Sequence, residues 1–451
     1  MGYWSLQVKN FGKISEAEIQ LAPFTCFIGD NNSGKSYLMT LLYGILRTNF
    51  RSLEMCTKSN EYEALKSWFD LHYQETNKIP LTSIKTQLNN YLNAVLEANK
   101  ETIVRYAFNK KIHIDSLMIN LGLLKDLYVR FSNNEDLHYE NENMSMIQLS
   151  LYYKNDLISR ASGRIRAHQK INYAFFFAVL LNRIIGMEYR NDILFLPTSR
   201  TGFLLTFKDI LSASIVHRYD ENDEIEKYEQ KTTLTQPCVD FLQNLNSLSQ
   251  NTRNDKYNEI LSFIESDLLD GRIIADTSTP TPEFSYQPNS WNNPPIPMHI
   301  ASGVITELTP LSLMLQYHET IGALFIEEPE MCLHPELQMN MARVLLRIAN
   351  QHIPLFITTH SDIIIQHINN MLKYSQLSSA KQKSINEKFG ITVDEQLDSK
   401  DIAVYQFSVD KQAHRTTVQK LDATPYGFVT PTFNNTLNKI FDMTASLDPE
   451  E

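Results

Sequence analysis

Residues 29–36 read GDNNSGKS, and no other stretch restricts the fold of this chain as strongly. They fit G-x-x-x-x-G-K-S, with Gly29, Gly34, Lys35 and Ser36 at the fixed places. Upstream, Phe24-Thr25-Cys26-Phe27-Ile28 is a strand-forming run bounded by Pro23 and Gly29. Downstream, residues 37–46 are apolar enough for a buried helix. Strand, tight loop and helix in that order form a cradle for an anion. The glycines let the chain wrap closely. The backbone N–H groups of Asn31, Asn32, Ser33 and Gly34, with the helix N-terminus, then face a phosphate. Lys35 can neutralise the β and γ phosphates, and Ser36 can offer its hydroxyl to Mg²⁺. An α/β fold of the P-loop NTPase kind is the expectation.

The chain has 451 residues, enough for two or three folded units. A net charge of −11 argues against a protein coated in positive charge for nucleic acid, though a local basic groove stays open. Cys26, Cys56, Cys238 and Cys332 are scattered and make neither a disulfide framework nor a zinc pattern. The N-terminus, MGYWSLQVKNFGK, lacks the basic and apolar halves of a secretory leader. The most apolar run, YAFFFAVLL at 173–181, is too short to span a bilayer. A cytoplasmic protein without membrane contact is expected.

The order of segments predicts an N-terminal lobe over 1–50, a mostly helical insertion over 51–190, and the rest of the nucleotide-binding head over 191–450. Within the insertion, 61–72, 81–100 and 111–131 read as helices and 144–153 as a strand. Further on, strands at 193–196, 323–326 and 355–358 alternate with helices over 304–318, 336–349 and 362–372, which suits an α/β sheet. An acidic stretch at 220–229 interrupts helical material. Short strands and turns are expected over 271–297, a mobile polar connection over 376–399, and a closing hairpin from 402–407 and 415–421.

Two distal motifs complete a site. Ala323-Leu324-Phe325-Ile326-Glu327-Glu328 is an apolar strand ending in two carboxylates. It is expected beside the strand that enters the phosphate loop. Glu327 can then hold the water shell of Mg²⁺, and Glu328 can act as general base or orient the attacking water. Phe356-Ile357-Thr358-Thr359-His360-Ser361 brings His360 to the end of another apolar strand. One helix and a return strand separate it from Glu328, so it is expected at the same carboxyl edge of a parallel sheet, where ligands bind.

The ordered set GDNNSGKS, FIEEPEMCLHPELQ and FITTHSD resembles the ABC-type ATPase head of the SMC and RecF-like superfamily. Its style is that of bacterial antiphage-defence AAA family ATPases related to the ATPase half of overcoming-lysogenisation nucleases. The resemblance covers 1–50 and 193–440 and implies ATP and Mg²⁺ as cofactors. It makes Glu327 and Glu328 the Walker B pair, 329–335 the adjoining D-loop and His360 the switch histidine. It also implies a signature segment ahead of Walker B, for which Ile300-Ala301-Ser302-Gly303-Val304-Ile305-Thr306-Glu307-Leu308 is the match. Ser302 and Gly303 would serve the γ phosphate of a second subunit, so a homodimer or higher even-numbered homo-oligomer is implied. Lys13 is a candidate contact near the base or ribose.

Three departures accompany the resemblance. The first Walker B acid is Glu327, where many relatives carry Asp. No glutamine loop is found, and 196–200 (LPTSR) stands in its place. Arg200 there either faces the nucleotide or forms a salt bridge within the fold. The spacer between loop and Walker B is long but carries no heptad arm, so the chain is no full-length SMC protein. Three roles compete: an ATPase subunit of an antiphage complex controlling a separate nuclease or toxin effector, a RecF-like DNA repair ATPase, and a low-turnover ATP-dependent scaffold. The expectation of a separate effector rests on the lack of a nuclease motif and on how soon the chain stops after the closing hairpin. A guanine-reading Asn-Lys-x-Asp motif is absent from the sequence.

Overall fold

The structure is a computed structural model that describes residues 4–72, 77–122, 124–139, 142–166, 171–186, 192–219, 233–248, 252–278, 281–290, 292–424, 427–430, 439–444 and 446–447. The acidic stretch at 220–229 lies outside them. The chain forms two compact units, one from Met1–Leu21, Gly44–Arg105 and Lys111–Met187, the other from Ala22–Tyr43, Tyr106–Lys110 and Glu188–Glu451.

The second unit is built on five mutually parallel strands. Their spatial order is Ile402–Asp410, Phe24–Gly29, Leu355–Thr358, Ile321–Glu327 and Asp192–Leu196. Arg415–Leu421 pairs antiparallel with Ile402–Asp410, as a closing hairpin should. Parallel strands covered on both faces need continuous apolar runs rather than alternation. The sequence supplies them: every residue of Phe24–Gly29, Ile321–Glu327 and Leu355–Thr358 is buried. On one face Phe24, Cys26, Ile28, Leu324, Ile326, Leu355 and Ile357 pack in a common core with Leu345, Ile348, Ile364 and Ile365 of the helices Pro335–Asn350 and Asp362–Ser375. The Phe325 ring stacks on Phe356 at 4.4 Å and on Phe195 at 5.8 Å, and Tyr43 meets Phe325 edge-on. Each aromatic pair adds about 0.5–1.5 kcal/mol beyond its buried area.

Two expectations are corrected in this unit. Leu355–Thr358 lies between the phosphate-loop strand and the acidic strand, so those two are not neighbours. A right-handed crossover can skip a position in a parallel sheet, and sequence order does not fix that choice. The segment 376–399 is also not a bare connection. It holds the helix Ser379–Phe389, closed by Gly390 at φ 63°, and it delivers Glu395 to a fully buried position. There Arg343 Nε (3.0 Å) and Arg347 Nη2 (2.7 Å) donate to the Glu395 carboxylate. Both guanidinium groups also lie over the Phe263 ring.

In the first unit Trp4–Phe11 pairs antiparallel with Ile14–Gln20 and with Ser116–Leu121. A separate antiparallel sheet runs in the order Ile79–Pro80, Leu127–Tyr139, Glu142–Tyr153, Asp156–Arg166. The helices Asn60–His72 and Tyr173–Ile185 belong to this unit, as does Lys85–Phe108 up to Arg105. The strand expected at 144–153 and the helices expected at 61–72 and 81–100 are present. The helix expected over 111–131 is not: Ser116–Leu121 and the start of Leu127–Tyr139 are strands. Leu117, Ile119 and Leu121 are buried at alternate positions, a period of two that outweighs the mixed polarity of the run.

Candidate active site

Gly29 ends its strand at φ 128°, and a Cβ there would lie 2.1 Å from the Phe407 carbonyl oxygen. Only glycine fits that approach. Asn32 and Gly34 also have positive φ, 56° and 95°. The loop is tied to the neighbouring strand by Asp30, whose N–H donates to Phe407 O (3.2 Å) and whose Oδ2 accepts from Val409 N (3.1 Å). Among the described residues the backbone N–H groups of Asn31, Asn32, Ser33 and Gly34 reach no protein acceptor. A row of unpaired N–H groups ahead of a helix N-terminus is an anion-binding concavity.

Lys35 is buried, and its Nζ donates to Asp30 O (2.7 Å), Gly29 O (3.1 Å) and Ser33 Oγ (3.4 Å). Its ammonium thus sits inside the loop it is expected to complete. Burial lowers its pKa to about 8, against the opposing pull of Glu328, Asp30 and Glu330. Ser36 is exposed at the start of the helix Lys35–Arg47.

Pairing sets Phe27, Thr358 and Glu327 in one row across three strands. The chain therefore leaves the sheet at the same edge three times. Glu327 is buried, and its Oε2 accepts from both Thr198 N and Thr198 Oγ1 at 3.0 Å. Glu328 takes a left-handed conformation, φ 45°, while its N–H donates to Thr358 O (2.9 Å) and Thr358 Oγ1 (3.2 Å). Such a conformation costs a non-glycine residue energy and marks positions held by their surroundings. Its Oε1 stands 3.9 Å from His360 Nε2, and each side chain keeps 32 % exposure. Burial, then the nearby Lys35 charge, lowers the His360 pKa, so its imidazole is neutral at pH 7 and can accept or donate. The electrostatic influence of Glu328, Asp30 and Glu330 on Lys35, and of Lys35 on His360, puts these groups in one neighbourhood.

Arg200 lies at the start of the helix Arg200–Tyr219 and is 3 % exposed. It donates from Nε to Glu307 O (3.4 Å), from Nη1 to Glu327 O (2.6 Å) and Pro197 O (3.2 Å), and from Nη2 to Glu328 O (3.0 Å). Its Nη2 also pairs with Glu307 Oε1 at 2.5 Å. Four of these contacts are hydrogen bonds to backbone carbonyls, while Glu307 Oε1 is paired by charge and accepts no hydrogen bond. Of the two roles weighed for Arg200, these contacts are those of the internal salt bridge. The desolvated guanidinium is held against the backbone beneath Glu327 and Glu328.

Ser302 and Gly303 are exposed at the N-terminus of the helix Gly303–Tyr317. The Ser302 hydroxyl does not cap that helix. A Cβ on Gly303 would lie 3.7 Å from Cys332 Sγ, so this helix start meets the 329–335 segment. No hydrogen bond or ion pair joins Ser302 or Gly303 to Lys35 among the described residues. Lys13 belongs to the first unit, exposed in the tight turn between Phe11 and Ile14.

Four residues were not singled out by the sequence. Thr198 holds Glu327, Thr358 holds the Glu328 backbone, and Glu307 balances Arg200. Glu330 accepts from His360 N at 2.5 Å, while its second oxygen is buried without a partner. Burial raises the Glu330 pKa. The third acid in the FIEEPE run was the signal for Glu330. The threonines gave none, since a hydroxyl is informative only once its partner is placed.

The loop fits a phosphate chain, as its unpaired N–H groups and close-packed Gly29 require. No cluster of three or more His, Cys, Asp or Glu side chains among the described residues is arranged to hold a metal by itself. Mg²⁺ carried by phosphates needs only one or two protein groups, and Ser36 and Glu327 are the candidates. No helix among the described residues is long and apolar enough to cross a membrane.

No curated protein matches the chain. Among solved structures, an Smc head bound to the C-winged helix domain of ScpA is similar at 12 % identity, covering 93 % of this chain and 97 % of that one, with a TM-score of 0.37. An Smc head domain with an extended coiled coil, bound to the C-terminal domain of ScpA derived from Pyrococcus furiosus, is similar at 12 % identity over 98 % and 100 % of the two chains, TM-score 0.37. The SMC head domain from Thermotoga maritima is similar at 10 % identity over 94 % and 100 %, TM-score 0.32. The AAA_15 family, described as an AAA ATPase domain, matches residues 1–365. A glycine-cradled loop, a buried lysine and an acid–histidine pair on one sheet edge are thus found in a chain that belongs to the AAA ATPase domain family.

Proposed function

We propose that the chain binds Mg·ATP and hydrolyses it as an ABC/SMC-type head. The observation that carries this reading is the meeting of Lys35, Glu328 and His360 at the carboxyl ends of the parallel strands. The loop N–H groups and Lys35 bind the phosphate tail, Lys35 exchanging its carbonyl partners for phosphate oxygens. Ser36 and Glu327 hold Mg²⁺, which supplies charge neutralisation at the phosphates. Glu328, partly exposed and held by its backbone, takes the proton of the attacking water. Neutral His360 beside it orients that water or the γ phosphate.

Ser302 and Gly303 act on the site of a second copy, making the working form a homodimer or a higher even-numbered oligomer. Their exposure at a helix start with an unused hydroxyl supports this. The biological setting we infer is an antiphage complex in which ATP-dependent pairing controls a separate nuclease or toxin effector. That reading rests on the motif resemblance, an associational warrant.

Binding and turnover separate the roles. Lys35→Ala should weaken ATP binding at least tenfold by calorimetry. Glu328→Gln should keep binding and lose hydrolysis while accumulating the dimer. Unchanged affinity in the first, or full hydrolysis in the second, overturns the assignment.

A further inference from the structure

The antiparallel sheet of the first unit presents two unlike faces. Val129, Phe131, Leu149 and Leu151 are buried, and the Phe131 ring packs on Phe69 at 4.7 Å. At the intervening positions Arg130 and Arg160 are exposed, and pairing aligns them in one row through Ser150. In the adjoining row half-buried Tyr128 lies opposite Tyr152. The Lys78 ammonium stands 4.2 Å from the Tyr152 ring centroid. Neither arginine has a carboxylate partner among the described residues.

The strands Leu127–Tyr139, Glu142–Tyr153 and Asp156–Arg166 carry four arginines, Arg130, Arg160, Arg164 and Arg166, and four acids, Glu135, Asp136, Glu142 and Asp156. Each acid lies at least four positions along its strand from the row that joins Arg130, Ser150 and Arg160.

We propose that this face binds single-stranded nucleic acid. The arginines take backbone phosphates, for which their planar forks are suited. The Tyr128–Tyr152 pair offers rings for base stacking, the usual combination in sequence-tolerant single-strand binding. Arg130 and Arg160 lie two strand spacings apart, about 10 Å, so the two cations form a row across the sheet rather than a point charge. Of the large hydrophobics in these strands, Val129, Phe131, Leu149 and Leu151 are turned to the core, while Leu157, opposite Tyr152, is exposed beside the tyrosine rings. This goes beyond the proposed ATPase role and needs no nucleotide, so either can fail without the other.

The test is fluorescence anisotropy of the full chain with a labelled 20-nucleotide single strand between 50 and 200 mM salt. Binding should weaken steeply with salt. Arg130→Glu with Arg160→Glu should raise Kd at least tenfold and reduce the salt slope by about 1.4, two phosphate contacts' worth. Tyr128→Ala with Tyr152→Ala should raise Kd without changing that slope. Unaltered far-UV circular dichroism and Tm in both variants control for folding. The proposal is overturned by no binding at 50 mM salt, by an unaffected arginine variant, by tighter binding of duplex, or by equal competition from polyglutamate.

Discussion

Replacing Arg200 by Met tests whether the site rests on a single buried cation. The guanidinium is 3 % exposed and its partner Glu307 equally buried, so solvent screens neither. The variant strands Glu307 and leaves the Glu327 and Glu328 carbonyls without their donors. Removing one member of a buried pair costs about 3–5 kcal/mol. For a unit of roughly 290 residues that lowers the Tm of its unfolding by roughly 5–8 °C. Replacing both partners, Arg200→Met with Glu307→Leu, removes the stranded charge and should cost far less than the sum of the singles.

The cost should also depend on pH. Burial raises the Glu307 pKa, opposed by Arg200 and by a hydrogen bond from Thr201. Without Arg200 it rises further. A carboxyl whose folded pKa lies above its unfolded value stabilises the fold at low pH and loses that contribution as pH rises through the folded pKa. The deficit of Arg200→Met should therefore grow from pH 5 to pH 8, by at most about 1.4 kcal/mol per unit. Differential scanning fluorimetry of the two singles and the double at both pH values measures all of this. A single-variant loss under about 1 kcal/mol, or a double equal to the sum of its parts, refutes the reasoning.

Gly29→Ala should destabilise by roughly 2–4 kcal/mol, since its Cβ meets the Phe407 carbonyl at a φ of 128°. Gly202→Ala, in a helix with nothing within 4 Å, should be neutral or stabilising, and urea titration distinguishes the two. His367 is buried with its pKa lowered to about 4, chiefly by desolvation, from an ordinary 6.5. A depressed histidine stabilises above 6.5 and loses that contribution as pH falls to 4, so His367→Gln should flatten an acid loss of about 3 kcal/mol over this window. Ser302→Arg should abolish ATP hydrolysis without lowering Tm. Mixing it with Lys35→Ala should restore part of the rate, because one composite site per mixed pair is intact; no recovery would exclude a shared site.

The parts of the fold visible in the sequence are those whose pattern is local. GDNNSGKS, the apolar run into Glu327 and Glu328, and the run into His360 each state a strand end and its chemistry in consecutive residues. What escaped is set by partners far along the chain. Nothing near Thr198 says that Glu327 will accept its two hydrogen bonds, and nothing near Arg200 distinguishes a buried clamp from a ligand contact. The order of the strands escaped for the same reason. At 111–131 the failure was one of period, because three buried residues at alternate positions were diluted by polar neighbours. Glu395 was hidden in a polar run because burying a carboxylate requires two arginines from another helix.

One consequence follows from the strand that intervenes between the loop and Glu327. Adjacent strands lie about 4.8 Å apart, so the two chain exits are separated by about 10 Å. That interval is a ruler. A ligand short of it can occupy the lysine end or the glutamate end, but only one long enough to bridge both joins them into a single reacting centre.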